Sequence, residues 1–411
     1  MSNKELSLKQ NIIWNSAGSL VYLALQWLMS YSVTKVLGFE NAGIFSLCLS
    51  VGNVVLAASL YGVRNYQVSD VKKLFSDKIY VVARYFSCAL GIVGAVTFLL
   101  IRSYSSYTMM CIFAFVLYKI SEAYVDVYHG IIQRNMRMDI IGKSFVLRGI
   151  STTALFFVCM FFTKELFWSI VVLFISSFIL IFIYDHRRVD DFYDKNSTFS
   201  RKDTMRLLVV CFPLAIFSFL TNLVASVPRI FLESIMGEEQ LGIYASVAIP
   251  AVIIQVLANF VFAPMATVFA KQIEDKDFSA FYKLFLKTVM YIVVLSGLVM
   301  VGGYFLAEWG LVLLFGEPIR AYAYLFMPIL FVSFFTALSW LLALILTVIR
   351  DFKGMIISTA CALVLCLSGS AASIRHYGLN GASFILIACL IVQIIGMILF
   401  MYFKIRKMKR Q

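Results

Sequence analysis

Apolar runs of about 20 residues recur along the whole chain, the first from Asn11 to Val33 and the last over 381–403. Each is long enough for a helix, at about 1.5 Å per residue, to cross a hydrocarbon layer about 30 Å thick. Inside lipid an unpaired backbone N–H or C=O is costly, so repeated runs of this length leave few folds open. Hydrophobic residues make up 62% of the sequence and charged ones 14%, against about 45–50% and about 25% in a soluble globule. The chain reads as an all-α polytopic membrane protein. Twelve transmembrane helices are expected, at 11–33, 42–63, 79–101, 108–128, 144–162, 166–184, 207–231, 242–263, 288–307, 322–346, 355–374 and 381–403.

The first run follows a short head carrying Lys4 and Lys9. It is too long for a signal-peptide core and lacks a small-residue cleavage site, so it is expected to be a retained span. The eight cysteines all fall inside apolar runs without a C-x-x-C pair and read as small packing residues. Basic residues then set the orientation, because Lys and Arg flanking short loops stay on the cytoplasmic side. With the N-terminus inside, that side collects 28 of the 35 lysines and arginines, and an even number of spans returns the C-terminus to it. The same bias accounts for the net charge of +13 as orientation signal and contact with anionic lipid heads, with no nucleic-acid partner.

An internal echo divides the chain. Gly237-Glu238-Glu239-Gln240-Leu241-Gly242-Ile243-Tyr244 matches Gly38-Phe39-Glu40-Asn41-Ala42-Gly43-Ile44-Phe45 at an offset of 199 residues, and each copy follows the apolar run that opens its half. Six spans separate the copies, so the repeat is parallel, an arrangement found among transporters that rock one lobe against another. The expected organisation is a six-helix lobe over 1–190, a cytoplasmic linker over 191–206 and a second six-helix lobe over 207–411, with a central cavity between the lobes. The polar stretch from Asp185 to Arg206 supplies the linker.

Charges inside the spans carry the functional signal. Lys119, Glu122 and Asp126 lie on the fourth span at spacings of three, four and seven, within about one helical face. A charge at mid-bilayer costs at least about 2.5–3.5 kcal/mol, so it faces a wet cavity or a partner. One reading makes Lys119 a binder of an anionic substrate group, with Glu122 or Asp126 changing protonation or ion occupancy during turnover. The blander reading is a Lys119–Glu122 pair that neutralises itself within one helix, with Asp126 and His129 at the inner interface. Arg229, after Pro228, could grip a phosphate in bidentate fashion or snorkel to the headgroups. Arg84 and Arg148, about a turn inside their spans, are further candidate substrate-binding cations, with snorkelling as their blander account. Pro250, Pro264 and Pro328, with Gln255 and Asn259, suit bends in moving helices, although membrane helices tolerate proline routinely.

Enzyme signatures are missing. Gly142-Lys143-Ser144 resembles the end of a phosphate-binding loop, but Arg137 stands where its first glycine must be. His129, His186 and His376 are far apart, which argues against a metal site or a nucleophile–base pair. No cofactor is implied, and any energy for transport must come from an ion gradient or from the substrate's own gradient.

Three short motifs carry a family resemblance. Val33 to Ser46 (V-T-K-V-L-G-F-E-N-A-G-I-F-S) resembles the first-hairpin signature of bacterial polysaccharide repeat-unit flippases, the transporters of O-antigen and capsule units. Pro228 to Tyr244 resembles their seventh-span signature, and Arg375 to Ser383 their turn before the last span. The family lies in the superfamily of multidrug and oligosaccharidyl-lipid/polysaccharide exporters. The resemblance implies a central, largely cationic cavity and a substrate made of an oligosaccharide on undecaprenyl diphosphate, moved from the inner to the outer leaflet. It also implies residence in the bacterial cytoplasmic membrane among its lipids, alongside a polysaccharide polymerase and a chain-length regulator. Two positions depart from the pattern: Lys35 stands where arginine is usual, and Pro228 where an acidic residue often precedes the arginine.

Chemistry agrees with this expectation, since a diphosphate-linked sugar cannot cross hydrocarbon unaided. The alternatives are a cation-coupled multidrug extruder and a membrane-embedded polysaccharide polymerase or acyltransferase.

Overall fold

A computed structural model describes residues 7–70, 73–194 and 197–410, with backbone alone for residues 8, 9, 253, 254, 256–264, 266 and 267. Lys4, Lys72 and Lys195, and the side chains of Lys9, Asn259 and Pro264, lie outside the described residues. The described chain is helical almost throughout, and all twelve expected spans fall on helices. Helix α1 (Leu8–Leu60) has 53 residues, about 80 Å if it were straight, which is far more than one bilayer crossing. It bends at Gly38, whose φ of 85° and ψ of 179° are not helical, so it supplies two spans. A short α2 (Val63–Ser69) follows, then α3 (Asp77–Ile101), α4 (Ser106–Arg134), α5 (Met138–Thr163) and α6 (Leu166–Leu180). Helix α6 runs on through a π-helical turn (Ile181–His186) into α7 (Arg187–Val189).

The second series is α8 (Arg201–Met236), α9 (Glu238–Glu274), α10 (Phe278–Phe315), a 3₁₀ segment (Glu317–Leu325), α11 (Phe326–Val348), α12 (Phe352–Tyr377) and α13 (Leu379–Lys409). Gly237, between α8 and α9, has φ 90° and ψ 170°, nearly the angles of Gly38. Only glycine adopts that region freely. The sequence echo is therefore also a backbone echo: each half opens with two helices joined at a glycine in the same conformation. Pro328 is the third residue of α11, where its missing N–H removes no intrahelical bond, and α9 continues past Pro250.

Two compact units result, residues 1–222 and 223–411, dividing inside α8. In the first, the fourth span α4 is central and packs on α1, α2, α3, α5 and α6. In the second, the fourth span α11 takes the same place against α9, α10, α12 and α13. Small residues allow a close crossing of α1 and α5: a Cβ built on Gly18 of α1 would lie 2.6 Å from the Cα and O of Gly142 on α5. Such close approach is how helices associate in lipid, where the hydrophobic effect gives no drive. Asn11 Oδ1 caps the start of α5 by accepting from Met138 N at 2.7 Å, tying the same two helices at one end.

The stretch expected as a watery linker differs from that reading at both ends. Asp185 lies in the π-helical turn, 1% exposed, and α8 begins at Arg201. Between them Phe192 and Tyr193 pack on the core of the first unit, while Asp194 N donates to Asp77 and Ser76 Oγ donates to Thr198 O at 2.7 Å. Polarity alone had suggested a solvated tether; the chain instead uses these groups to close the end of α3.

Candidate functional site

Lys119 stands near the midpoint of α4, 3% exposed, and its Nζ donates to Glu122 Oε2 at 2.7 Å. The expected pairing within one helix is present, yet the pair is not self-contained. Tyr22 Oη of α1 donates to Glu122 Oε1, Gln26 Nε2 donates to the same oxygen at 3.1 Å, and Tyr118 Oη does so at 3.1 Å. The hydroxyls of Tyr22 and Tyr118 also meet at 2.8 Å. The ammonium lies 5.2 Å from the ring centre of Tyr118 and 5.5 Å from that of Phe115, within cation–π range. Gly52, on the second arm of α1, lies over the aliphatic stem: a Cβ there would come within 3.1 Å of Lys119 Cγ. One carboxylate thus collects donors from α1 and α4 in the middle of the membrane-crossing part of the first unit.

Asp126, one turn further along α4, does not join that group. It accepts from Arg64 Nη1 at 3.0 Å and from Arg84 Nη2 at 2.8 Å. Arg84 also donates from Nη1 to Ser59 O at 2.6 Å and is fully buried; Arg64 reaches Gln133 Oε1 and is 23% exposed. This cluster ties α1, α2, α3 and α4 together.

A third cluster was not foreseen. Arg148 Nη2 of α5 donates to Asp185 Oδ2 at 2.8 Å, and Nη1 donates to Ser177 Oγ of α6 at 2.6 Å. Ser177 Oγ meets Ser121 Oγ of α4 at 2.7 Å. Ser144 Oγ donates to Asp185 Oδ1 at 2.6 Å, and His129 Nε2 stands 3.2 Å from Ser144 Oγ and 3.4 Å from Asp185 Oδ1. All these side chains are buried. The same imidazole nitrogen faces both Ser and Asp, so Asp185 does not orient His129 through the opposite nitrogen as nucleophile activation requires.

The two candidate cations Arg84 and Arg148 do not snorkel: each is buried inside the first unit on a carboxylate. The physical reason is the acid opposite each, Asp126 and Asp185, which sequence spacing did not pair with them. Arg229 differs. It is half-buried in an uninterrupted α8 and, among the described residues, has no carboxylate at ion-pair distance; its charge acts on Tyr244, whose hydroxyl meets Ser383 Oγ at 2.9 Å. The two units are electrically unlike. Among the described residues, the buried polar side chains of 223–411 are uncharged, for example Gln393 donating to Thr359 at 2.8 Å. Sequence reasoning missed Tyr22, Gln26, Arg64 and Asp185. Tyr22 and Gln26, four apart in an otherwise apolar run, were the one legible sign. No group of three or more His, Cys, Asp or Glu side chains positioned for a metal occurs among the described residues.

Long apolar helices in two compact units, with paired charges buried in the first, define a multi-pass helical membrane protein. The chain resembles a mutant of the Vibrio cholerae MATE transporter VcmN with a TM-score of 0.64 at 12% identity, covering 98% of this chain and 96% of that one. It resembles the eukaryotic MATE transporter AtDTX14 with a TM-score of 0.66 at 12% identity, covering 97% and 96%. The model of the polysaccharide biosynthesis protein family matches residues 8–269, and the chain belongs to that family. A curated relative, the capsular polysaccharide biosynthesis protein CapF of Staphylococcus aureus, is 24% identical over 280 residues, 68% of this chain and 70% of that protein.

Proposed function

We propose that the protein carries oligosaccharide repeat units linked to undecaprenyl diphosphate from the inner to the outer leaflet of a bacterial cytoplasmic membrane, by alternating access. In this reading both termini are cytoplasmic and the units go to capsule or O-antigen synthesis. Membership of a polysaccharide biosynthesis family, together with an exporter fold, supports a carrier of glycan in preference to an extruder of drugs. The observation that carries the reading is Glu122. A carboxylate held by a lysine, two tyrosines and a glutamine from two spans is a group whose charge can be exchanged without unfolding its surroundings.

The carrier is ion-coupled at Glu122. A proton or cation taken there releases Lys119, which then meets an anionic group of the substrate. Arg229 is also a substrate-binding cation in this reading. Arg84 and Arg148 act on the substrate through the helices they fix, and Asp126 holds α2 and α3 on α4 in both states. A polymerase and a chain-length regulator would use the exported units.

The test is deletion of the gene with complementation by the wild-type chain, by Glu122→Gln and, as control, by Glu308→Gln, a change at an exposed carboxylate of α10. Lipid-linked repeat units are expected to accumulate in the inner leaflet on deletion, and to be exported again with wild type and Glu308→Gln but not with Glu122→Gln. Unchanged export on deletion, with new sensitivity to toxic organic cations, would establish the multidrug reading. Chemical change in the glycan made by the purified protein would establish an enzyme.

A further inference from the structure

The Arg148 cluster is buried and titratable, and fixing α5 on α6 makes no use of its titration. His129 and Asp185 are each 1% exposed and Arg148 is 2% exposed, so whatever charge the cluster carries is held in a medium where charges act strongly on one another. A π-helical turn places Asp185 there; such turns are rare and occur often at functional sites. The cluster is not isolated from Glu122. Ser121, its neighbour on α4, meets Ser177, which accepts from Arg148, and the Arg148 charge acts on Glu122 as well as on Asp185.

We propose that His129 and Asp185 form a second proton-holding site of the carrier, and that this site and Glu122 hold one proton between them, coupled through Arg148. The proposal rests on reading Glu122 as the exchanging group. Ser144 gives its only hydroxyl hydrogen to Asp185, so the neutral imidazole carries its hydrogen on Nε2, facing the two acceptors Asp185 Oδ1 and Ser144 Oγ. The added proton goes to Nδ1, making an imidazolium beside a carboxylate that already holds Arg148. It comes from hydronium and returns to water.

Charge balance makes the two sites exclusive. With His129 neutral, Lys119, Glu122, Arg148, Asp185 and His129 sum to zero. One proton, on Glu122 or on His129, leaves one positive charge uncompensated; a second leaves two, in the same dry interior. The other groups around them do not relieve this. Arg64 of α2 acts on His129 with like sign, Arg84 of α3 is committed to Asp126, and Tyr22 of α1 and Tyr118 stay neutral donors to Glu122. Occupying one site therefore empties the other, so a conformational change that exposes one of them first would give protonation a direction.

The experiment follows the imidazole carbon resonance of His129 by NMR in the full chain, labelled at histidine, purified in lipid nanodiscs and titrated between about pH 4 and pH 9, the range in which histidine changes charge in proteins. His186→Gln and His376→Gln assign the signal. Glu122→Gln is expected to lower the His129 midpoint by about one pH unit, a tenfold loss of proton affinity. Lys119→Met is expected to raise it, and the double variant, which removes one charge of each sign, to return it near wild type. A purely structural role for Glu122 gives no such opposed pair, and should one single variant fail to fold, the signed shift of the other, downward for Glu122→Gln or upward for Lys119→Met, still decides. A His129 midpoint unmoved by both single variants, or a resonance that does not titrate, overturns the proposal. A shifted midpoint together with normal export by Glu122→Gln would leave this coupling standing and remove the role of Glu122 in transport.

Discussion

Arg84 Nη2 donates to Asp126 Oδ2 over 2.8 Å, and the guanidinium that does so has no exposed surface. Arg64 shares the same carboxylate from the other side, so the two ends of the relationship are not equivalent. Removing Arg84 leaves Asp126 still paired; removing Asp126 leaves a buried cation with only Ser59 O for company. Asp126→Ala is therefore expected to destabilise the folded protein by about 3–5 kcal/mol, as loss of one partner of a buried pair does, and Arg84→Met by clearly less. Thermal unfolding in detergent checks the order. An Asp126→Ala protein melting with wild type would show that the cluster is open to water.

The repeated glycine conformation gives a second prediction. Gly38 and Gly237 have positive φ with ψ near 180°, and a Cβ at either would meet nothing within 4 Å. Any penalty for alanine there comes from the backbone and not from crowding. Gly38→Ala and Gly237→Ala are each expected to cost about 1–3 kcal/mol, by similar amounts, since the two turns are conformational copies. Gly297→Ala, inside α10 and equally uncrowded, is expected to stabilise by about 0.5–1 kcal/mol. Melting temperatures of the three variants test the sign as well as the size.

At Gly18 the penalty has the opposite origin. Its helical backbone is unstrained, but the space is filled by the backbone of Gly142, which cannot move aside as a side-chain tip could. Gly18→Ala is expected to force α1 and α5 apart and to cost about 1–3 kcal/mol, the range for overpacking. Loss of the Met138–Asn11 cap should accompany it, seen as faster amide exchange at the start of α5. Unchanged exchange and stability would mean that the crossing is looser than 2.6 Å implies.

These contrasts show what the sequence could and could not disclose. Spans, their number and the bend at Gly38 were legible because lipid demands long apolar runs and because the Gly38 octet repeats at Gly237. Lys119 and Glu122 were legible as a pair because three residues along a helix is a contact distance. What failed was every relationship between helices. Arg148 and Asp185 are 37 residues apart, and Asp185 closes an apolar run where any acid reads as the start of a loop. Tyr22 is 100 residues from Glu122, and tyrosine in a span is more often an interface anchor than a donor to a buried acid. Arg64 was counted as orientation signal, and its bond to Asp126 across 62 residues has no periodicity to announce it.

Lys119 and Glu122 offer the sharpest separation of stability from function. Each alone is a buried charge that needs the other, so Lys119→Met and Glu122→Gln are each expected to lose about 3–5 kcal/mol relative to wild type if the interior is dry. The double variant removes both charges and leaves Tyr22, Tyr118 and Gln26 able to bond the new amide, so it is expected to recover most of that loss. A double-mutant cycle on melting data measures the coupling. Export should not recover in step: a carrier whose midpoint charge pair has become neutral can fold, but it has no group left to exchange a proton and no freed ammonium to meet an anion. Stability restored with export still absent separates the pair's work in transport from its part in the fold. Recovery of both together would reduce Lys119 and Glu122 to a structural pair.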